Sequence, residues 1–118
     1  RLSPNAGHII SIRHQAAGIL LFAREGREPG QDLSVRVFVD ELGVPEDPAT
    51  GSGNGCLAAW LLEHGKDLHE KQNLVSGQGH EIGRPSTIFL KAEKKGNIYT
   101  IQVGGMCRTI ARGSWVIA

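Results

Sequence analysis

One segment of this 118-residue chain constrains the fold more than any other: Cys56-Leu57-Ala58-Ala59-Trp60-Leu61-Leu62 contains no polar residue. Flanked by Asn54-Gly55 and Glu63-His64, and followed by Gly65, it predicts a helix from Asn54 to His64, with a glycine where a helix ends. A helix on a protein surface shows a polar stripe, and this one shows none for about two turns, so it is expected to be enclosed. Almost everything around it reads as strand. The enclosing material must therefore be sheet, and the expectation is an α+β domain in which a strongly curved sheet wraps one central apolar helix.

The strand readings rest on alternation and on glycine punctuation. His8–Arg13 and Gly18–Ala23 read as the first two strands, separated from the third by a turn-rich stretch from Glu25 to Gln31. In Leu33–Val39 the residues Val35, Val37 and Val39 share one face, and Ser34, Arg36 and Phe38 the other. Beyond the helix, Asn73–Ser76 suggests a short strand. Thr87–Ala92 and Ile98–Val103 form a hairpin across the polar turn Lys94–Asn97. Gly104-Gly105 is expected to break that ladder, Met106–Ile110 to resume it, and Arg112-Gly113-Ser114 to turn into a last short strand from Trp115.

Composition narrows the function classes. Thirteen basic and 12 acidic residues give a formal net charge of +1 without any basic block, which argues against nucleic acid as a partner. No apolar run approaches the ~18–20 residues of a membrane span, and no basic-then-apolar leader precedes the first strand, so a cytoplasmic protein is expected. Cys56 and Cys107 have neither CxxC spacing nor a histidine cluster nearby and are expected as buried free thiols. His8, His14, His64, His69 and His80 show no metal-ligand spacing, so no metal site is expected. His64 suits the free carbonyls of the last helical turn, and Trp60 and Trp115 read as core or interface anchors. Arg84 beside Pro85 reads as structural more than as an anion clamp, Glu81 as a solvated loop carboxylate more than as an acid, and Lys91, Lys94 and Lys95 as a solvated hairpin. The chain starts at Arg1 without a methionine, and a fragment or processed chain is expected.

The chemistry concentrates where the helix begins. Pro45 and Pro48 stiffen the approach, Thr50 or Ser52 can cap the first turn, and Gly51, Gly53 and Gly55 leave the backbone uncovered. First-turn amides lack internal partners and carry the positive end of the helix dipole, so a carboxylate or phosphate is the natural guest. Asp47 lies just outside, able to hold a substrate amine or hydroxyl or to relay a proton. The bland alternative is a capped helix after a Pro-rich turn. A nucleotide loop fits worse, because Gly51-Ser52-Gly53-Asn54-Gly55-Cys56 lacks the third glycine of the dinucleotide fingerprint and no lysine follows.

Glu46-Asp47-Pro48-Ala49-Thr50-Gly51-Ser52 resembles the E-D-P-A-T-G-S signature of the phenazine biosynthesis PhzF-like family, whose fold is diaminopimelate-epimerase-like. Arg36-Val37-Phe38 ahead of Gly43-Val44, Gln78-Gly79 followed by Ile82-Gly83-Arg84-Pro85-Ser86, Val103-Gly104-Gly105 and Ala111-Arg112-Gly113 resemble further family segments in the same order. Gly53-Asn54-Gly55-Cys56 and Asp40 depart from the usual pattern.

The resemblance implies a mixed, mostly antiparallel sheet curled around the helix, and a single domain over 1–118 equivalent to the C-terminal half of a two-domain protein. The expected activity is that of a cofactor-independent isomerase moving a proton on a small anionic metabolite, a ring acid or amino-acid-like carboxylate. Asp47 would contact the substrate as the catalytic residue, with Thr50, Gly51, Ser52 and Gly53 binding its carboxylate. The family's general base is a glutamate of the N-terminal domain, which this chain does not match. The missing domain is thus an expected partner in cis, the isolated chain is expected to be inactive, and family habit implies a homodimer. The alternatives are an amino-acid epimerase or racemase, for which Cys56 reads as poorly placed, and a non-catalytic interaction protein of the same fold.

Overall fold

The structure, a computed structural model, describes residues 16–65 and 71–116. Its elements are β1 (Ile19–Ala23), β2 (Leu33–Val39), a single 3-10 turn (Asp40–Leu42), β3 (Val44–Asp47), α1 (Gly51–His64), β4 (Lys71–Gln78), β5 (Ser86–Lys95) and β6 (Ile98–Gly105). The strand expected at His8–Arg13 lies outside the described residues.

Alternation decides which side of each strand is dry. Leu33, Val35 and Val37 of β2 are buried while Ser34 and Arg36 face out, and Ile88, Leu90 and Ala92 of β5 repeat the pattern around exposed Phe89. Against these rows α1 sets Leu57, Ala58, Leu61 and Leu62, and the ten residues make one core. Each fully buried leucine among them contributes about 1.5–3 kcal/mol relative to exposure. The sheet runs β1-β2-β4-β5-β6, antiparallel except for the β2–β4 pair, which is parallel. A parallel pair needs a long crossover, and the stretch holding β3 and α1 supplies it.

The expected wrapping is present, and two glycines show how close it is. A Cβ on Gly53 would lie 3.4 Å from Leu20 Cδ1 of β1, and one on Gly55 would lie 3.4 Å from Val103 Cγ2 of β6. Strands from both ends of the sheet thus touch the first turns of the same helix, so the sheet curls around it. The enclosure is nevertheless one-sided. Cys56 is exposed, and Trp60 is 48% exposed, packed edge-to-face on Phe22 at 5.8 Å. Apolar patterning reports what a helix can bury, whereas here the strands reach only part of its circumference.

Further expectations are corrected. Gly104-Gly105 does not break the ladder: the pair continues β6 opposite Phe89 and Ile88, since main-chain pairing needs no side chain. Pairing stops there, and residues 106–116 form neither the resumed strand nor the last one. Cys107, expected buried, is therefore exposed, as is Trp115. The hairpin closes on two residues, Gly96-Asn97, with Gly96 at φ +58°, while Lys94 and Lys95 stay in strand.

Those lysines are paired, not merely solvated. Lys95 Nζ meets Glu93 at 3.2 Å; Lys94 Nζ donates to Glu63 Oε2 of α1 at 2.5 Å, and Tyr99 also donates to that oxygen. These bonds, Lys94's first and Tyr99's second, hold the Glu63 carboxyl below its ordinary value, and Glu63 chiefly raises Lys94. The Glu63 contribution is present above the ordinary carboxylate value of about 4.3 and is lost as pH falls through the lowered one. The Lys94 contribution is complete below its ordinary value of about 10.4 and is lost as pH rises through the raised one. Thermal melts of a Glu63→Gln variant should therefore lie below wild type across neutral pH and converge with it toward both extremes. In denaturant titrations Leu61→Ala, at a position 2% exposed, should cost about 2–5 kcal/mol, and Trp60→Ala visibly less.

Candidate functional site

A strand has two edges, and β2 uses both. One carries β1; the other is shared, with β4 paired to Leu33–Val35 and β3 paired to Val37 and Val39. Because β4 runs parallel to β2 and β3 antiparallel, their C-terminal residues, Gln78 and Asp47, meet head-on along that edge. From Asp47 the chain passes Pro48-Ala49-Thr50 into α1, and from Gln78 it turns back through Gly79. Two strand ends and one helix start are thereby brought to a point.

The Gln78 side chain, 0% exposed, holds them there. Its Nε2 donates to the Asp47 carbonyl at 2.6 Å and to Thr50 Oγ1 at 2.9 Å; its Oε1 accepts from Thr50 N at 3.2 Å and from Asn54 Nδ2 at 2.8 Å. Asn54, equally buried, also donates to the Thr50 carbonyl at 2.9 Å. Its Oδ1 has no partner among the described residues, a cost of about 1–3 kcal/mol that the satisfied amide of Gln78 helps offset. Gly79 is required at its place: its φ is +80°, and a Cβ would lie 2.3 Å from the Arg84 carbonyl and 2.8 Å from that of Pro48.

Thr50 occupies the position that precedes the helix, yet its hydroxyl does not cap it. Its oxygen accepts from Gln78 Nε2 at 2.9 Å rather than from a first-turn amide, and its proton goes to Asp47 Oδ2 at 2.6 Å. The amides of Gly51, Ser52 and Gly53 keep no hydrogen-bond partner among the described residues. The glycines divide by role. Gly53 and Gly55 admit neighbouring strands and Thr50, whereas nothing lies within 4 Å of a Cβ built on Gly51.

Asp47, Thr50, Ser52 and Gly53 line a cavity of about 720 Å³ whose other walls are mainly apolar, with Leu20 and Phe22 from β1, Val37 from β2, and Leu57 and Trp60 from α1. Of the five expected site residues only Gly51 is outside the lining, exposed at the helix start. Cys56, expected buried and poorly placed, lines this cavity and is exposed. His64 packs against Trp60 at 5.3 Å. Among the described residues no cluster of histidines, cysteines and carboxylates could hold a metal ion, and no helix is long and apolar enough to cross a membrane.

The nearby arginines are committed elsewhere. Arg36 forms a two-pronged pair with Glu46 at 3.0 and 2.6 Å, which raises its pKa, and Glu81 bridges Arg27 at 2.7 Å and Arg36 at 3.8 Å. Glu81 is therefore part of an ion-pair network on the outer face of the sheet, not a solvated carboxylate. With these cations paired, the helix terminus places partial positive charge at the cavity.

Sequence reasoning missed Gln78 and Asn54 as parts of the site. Asn54 carries a signal: it lies on the same helical stripe as Leu57, Ala58 and Leu61, and a buried amide must find partners. A Gly79→Ala substitution should destabilise the protein by at least about 2 kcal/mol in denaturant titrations. Gly83→Ala, at φ +68° in open space, should cost only about 1–2 kcal/mol.

Comparison with known proteins supplies the remaining findings. The family model described as phenazine biosynthesis-like protein matches residues 1–113. The trans-2,3-dihydro-3-hydroxyanthranilate isomerase of Pseudomonas fluorescens is 43% identical over 89 residues, which are 75% of this chain and 32% of that protein. The uncharacterized isomerase YddE of Salmonella typhimurium is 29% identical over 119 residues, 98% of this chain and 40% of that protein. A crystal structure of a Bacillus anthracis PhzF-family phenazine biosynthesis protein superposes with a TM-score of 0.66 at 24% identity, covering 75% of this chain and 31% of the other. The chain thus spans two-fifths or less of the length of each relative.

Proposed function

The chain belongs to the phenazine biosynthesis-like protein family, and on that premise we propose that its cavity is one wall of the substrate cleft of a cofactor-independent isomerase. The substrate class is a small carboxylate-bearing molecule, a ring acid or an amino-acid-like metabolite. The observation that carries the reading is the convergence of Asp47, Thr50, Ser52 and Gly53 on one mainly apolar cavity, beside three amides with no partner among the described residues. The substrate carboxylate sits at the amides of Gly51, Ser52 and Gly53, its apolar body lies against Leu20, Phe22, Val37 and Trp60, and Asp47 accepts a proton-bearing nitrogen or oxygen. Relatives named as isomerases, one of them acting on a dihydrohydroxyanthranilate, favour this class.

Moving a proton between carbons requires a positioned base and a route for returning the proton in a site shielded from water. This chain offers a carboxylate contact and an anion site on an open face. The base belongs to a further domain of the full-length protein, and residues 1–118 alone are inactive. A second reading, an amino-acid epimerase, is favoured by one observation, the exposed Cys56 thiol in the same cavity.

Trp60 provides the assay. In a Trp115→Phe background, titrating the full-length protein with benzoate should change its tryptophan fluorescence, and a flat response to every ring acid would favour a non-catalytic interaction protein. With a turned-over substrate, Asp47→Asn should lower kcat by about 10²–10⁴-fold with a much smaller change in KM. An unchanged rate would remove Asp47 from the mechanism, and loss of activity in Cys56→Ser but not in Asp47→Asn would select the epimerase. Turnover by residues 1–118 alone would overturn the need for a second domain.

A further inference from the structure

The hydrogen bonds around Gln78 carry a direction, and it can be derived without placing any hydrogen by choice. An amide side chain can be built either way round, but its surroundings settle the matter when they contain groups of only one polarity. The Thr50 main-chain N–H is a donor and nothing else, so the atom 3.2 Å from it must be Gln78 Oε1. The Asp47 carbonyl is an acceptor and nothing else, so the atom 2.6 Å from it must be Nε2. Reversing the amide would set donor against donor and acceptor against acceptor. Gln78 is thus locked by main-chain atoms at both ends.

The consequence passes to the next group. Nε2 has two hydrogens, and the second points at Thr50 Oγ1, 2.9 Å away. That hydroxyl accepts from Gln78, and its own single proton goes to Asp47 Oδ2 at 2.6 Å. Asp47 Oδ1 keeps no hydrogen-bond partner among the described residues. We infer that Gln78 is the positioning residue of this cavity: by directing the Thr50 proton onto Oδ2 it holds Asp47 by that oxygen and leaves Oδ1 to accept from a ligand's N–H or O–H. A ligand that presents a second acceptor at this corner is rejected, and one that presents a donor is aligned. The inference rests on the reading of Asp47 as a ligand contact, but the direction of the chain of bonds stands on geometry alone.

Two measurements on the full-length protein test it. In the first, NMR of the unliganded protein should show a slowly exchanging Thr50 hydroxyl proton with cross-relaxation to the Gln78 side-chain amide protons. A hydroxyl in fast exchange with water would overturn the inference. In the second, the probes are benzoate and 2-aminobenzoate, which share a carboxylate and differ by one donor group. The wild type should prefer 2-aminobenzoate. Thr50→Val should reduce that preference about tenfold, since one good hydrogen bond to a charged group is at stake. Thr50→Ser should restore it. Gln78→Met should lose the same preference, and the Gln78→Met/Thr50→Val double variant should lose no more than either single one, because both act through the same proton. Additive losses, or equal weakening of both acids, would mean that Gln78 merely supports the loop. If Gln78→Met does not fold, the Thr50 pair still decides. If neither acid binds the wild type, the reading of the cavity as an acid site falls, and the hydroxyl resonance alone decides the direction.

Discussion

The shared edge of β2 is the constraint on which the rest of the structure depends. Two strands arriving from opposite directions cannot pair with the same residues, so β4 takes the N-terminal part of that edge and β3 the C-terminal part. Their ends must then face one another, and the Asp47 carbonyl of β3 and the Thr50 amide just beyond it lie at the junction and bond a side chain there. A buried glutamine solves this because one amide offers two donors and two acceptors, and here all four are used. The helix start is drawn into the same junction through Thr50 and Asn54. Strand pairing, helix position and the presentation of Asp47 are consequently one problem with one solution.

Electrostatics follows from that arrangement. Asp47 and Glu46 are neighbours in sequence, but strand alternation sends them to different fates: Glu46 to a two-pronged pair with Arg36, Asp47 to the cavity beside Thr50. The ion pairs of Arg27, Arg36, Glu46 and Glu81 keep full charges balanced on the outer face. Among the described residues, the cavity on the helix side has the partial charges of three amides without partners, next to the Asp47 carboxylate and apolar walls.

Legibility differed from element to element. Leu33–Val39 was readable to the residue because its alternation matches a half-buried strand, and the helix was readable because its apolar run exceeds what a strand would bury. Val44–Asp47 was not readable as a strand: Pro45 argues against one, and only the vacancy on the β2 edge makes a short pairing there favourable. The length of β6 was misjudged at Gly104-Gly105, since ladder pairing is decided by the partner strand and not by side-chain content. Asp47, Thr50, Ser52 and Gly53, singled out by the chemistry of a helix entrance, line one cavity, while the roles of Gly53 and Gly55 in strand packing and of Gln78 in the junction were not legible. Those depend on contacts between residues that are distant along the chain.

By itself the sequence determined local matters: where the helix lies, which strand faces are apolar, which backbone positions are glycine, and that polar chemistry gathers between Glu46 and Ser52. These follow from periodicity and from the intrinsic preferences of residue types, which act over a few residues. Only the tertiary structure decided that the helix is covered on one side and lines a cavity on the other, that Cys56 and Trp60 are exposed there, and that Thr50 serves Asp47 rather than the helix. The physical reason is competition for partners: a hydroxyl, an amide or an apolar face accepts the best neighbour that folding brings to it. For Thr50 that neighbourhood is set by Gln78, 28 residues away.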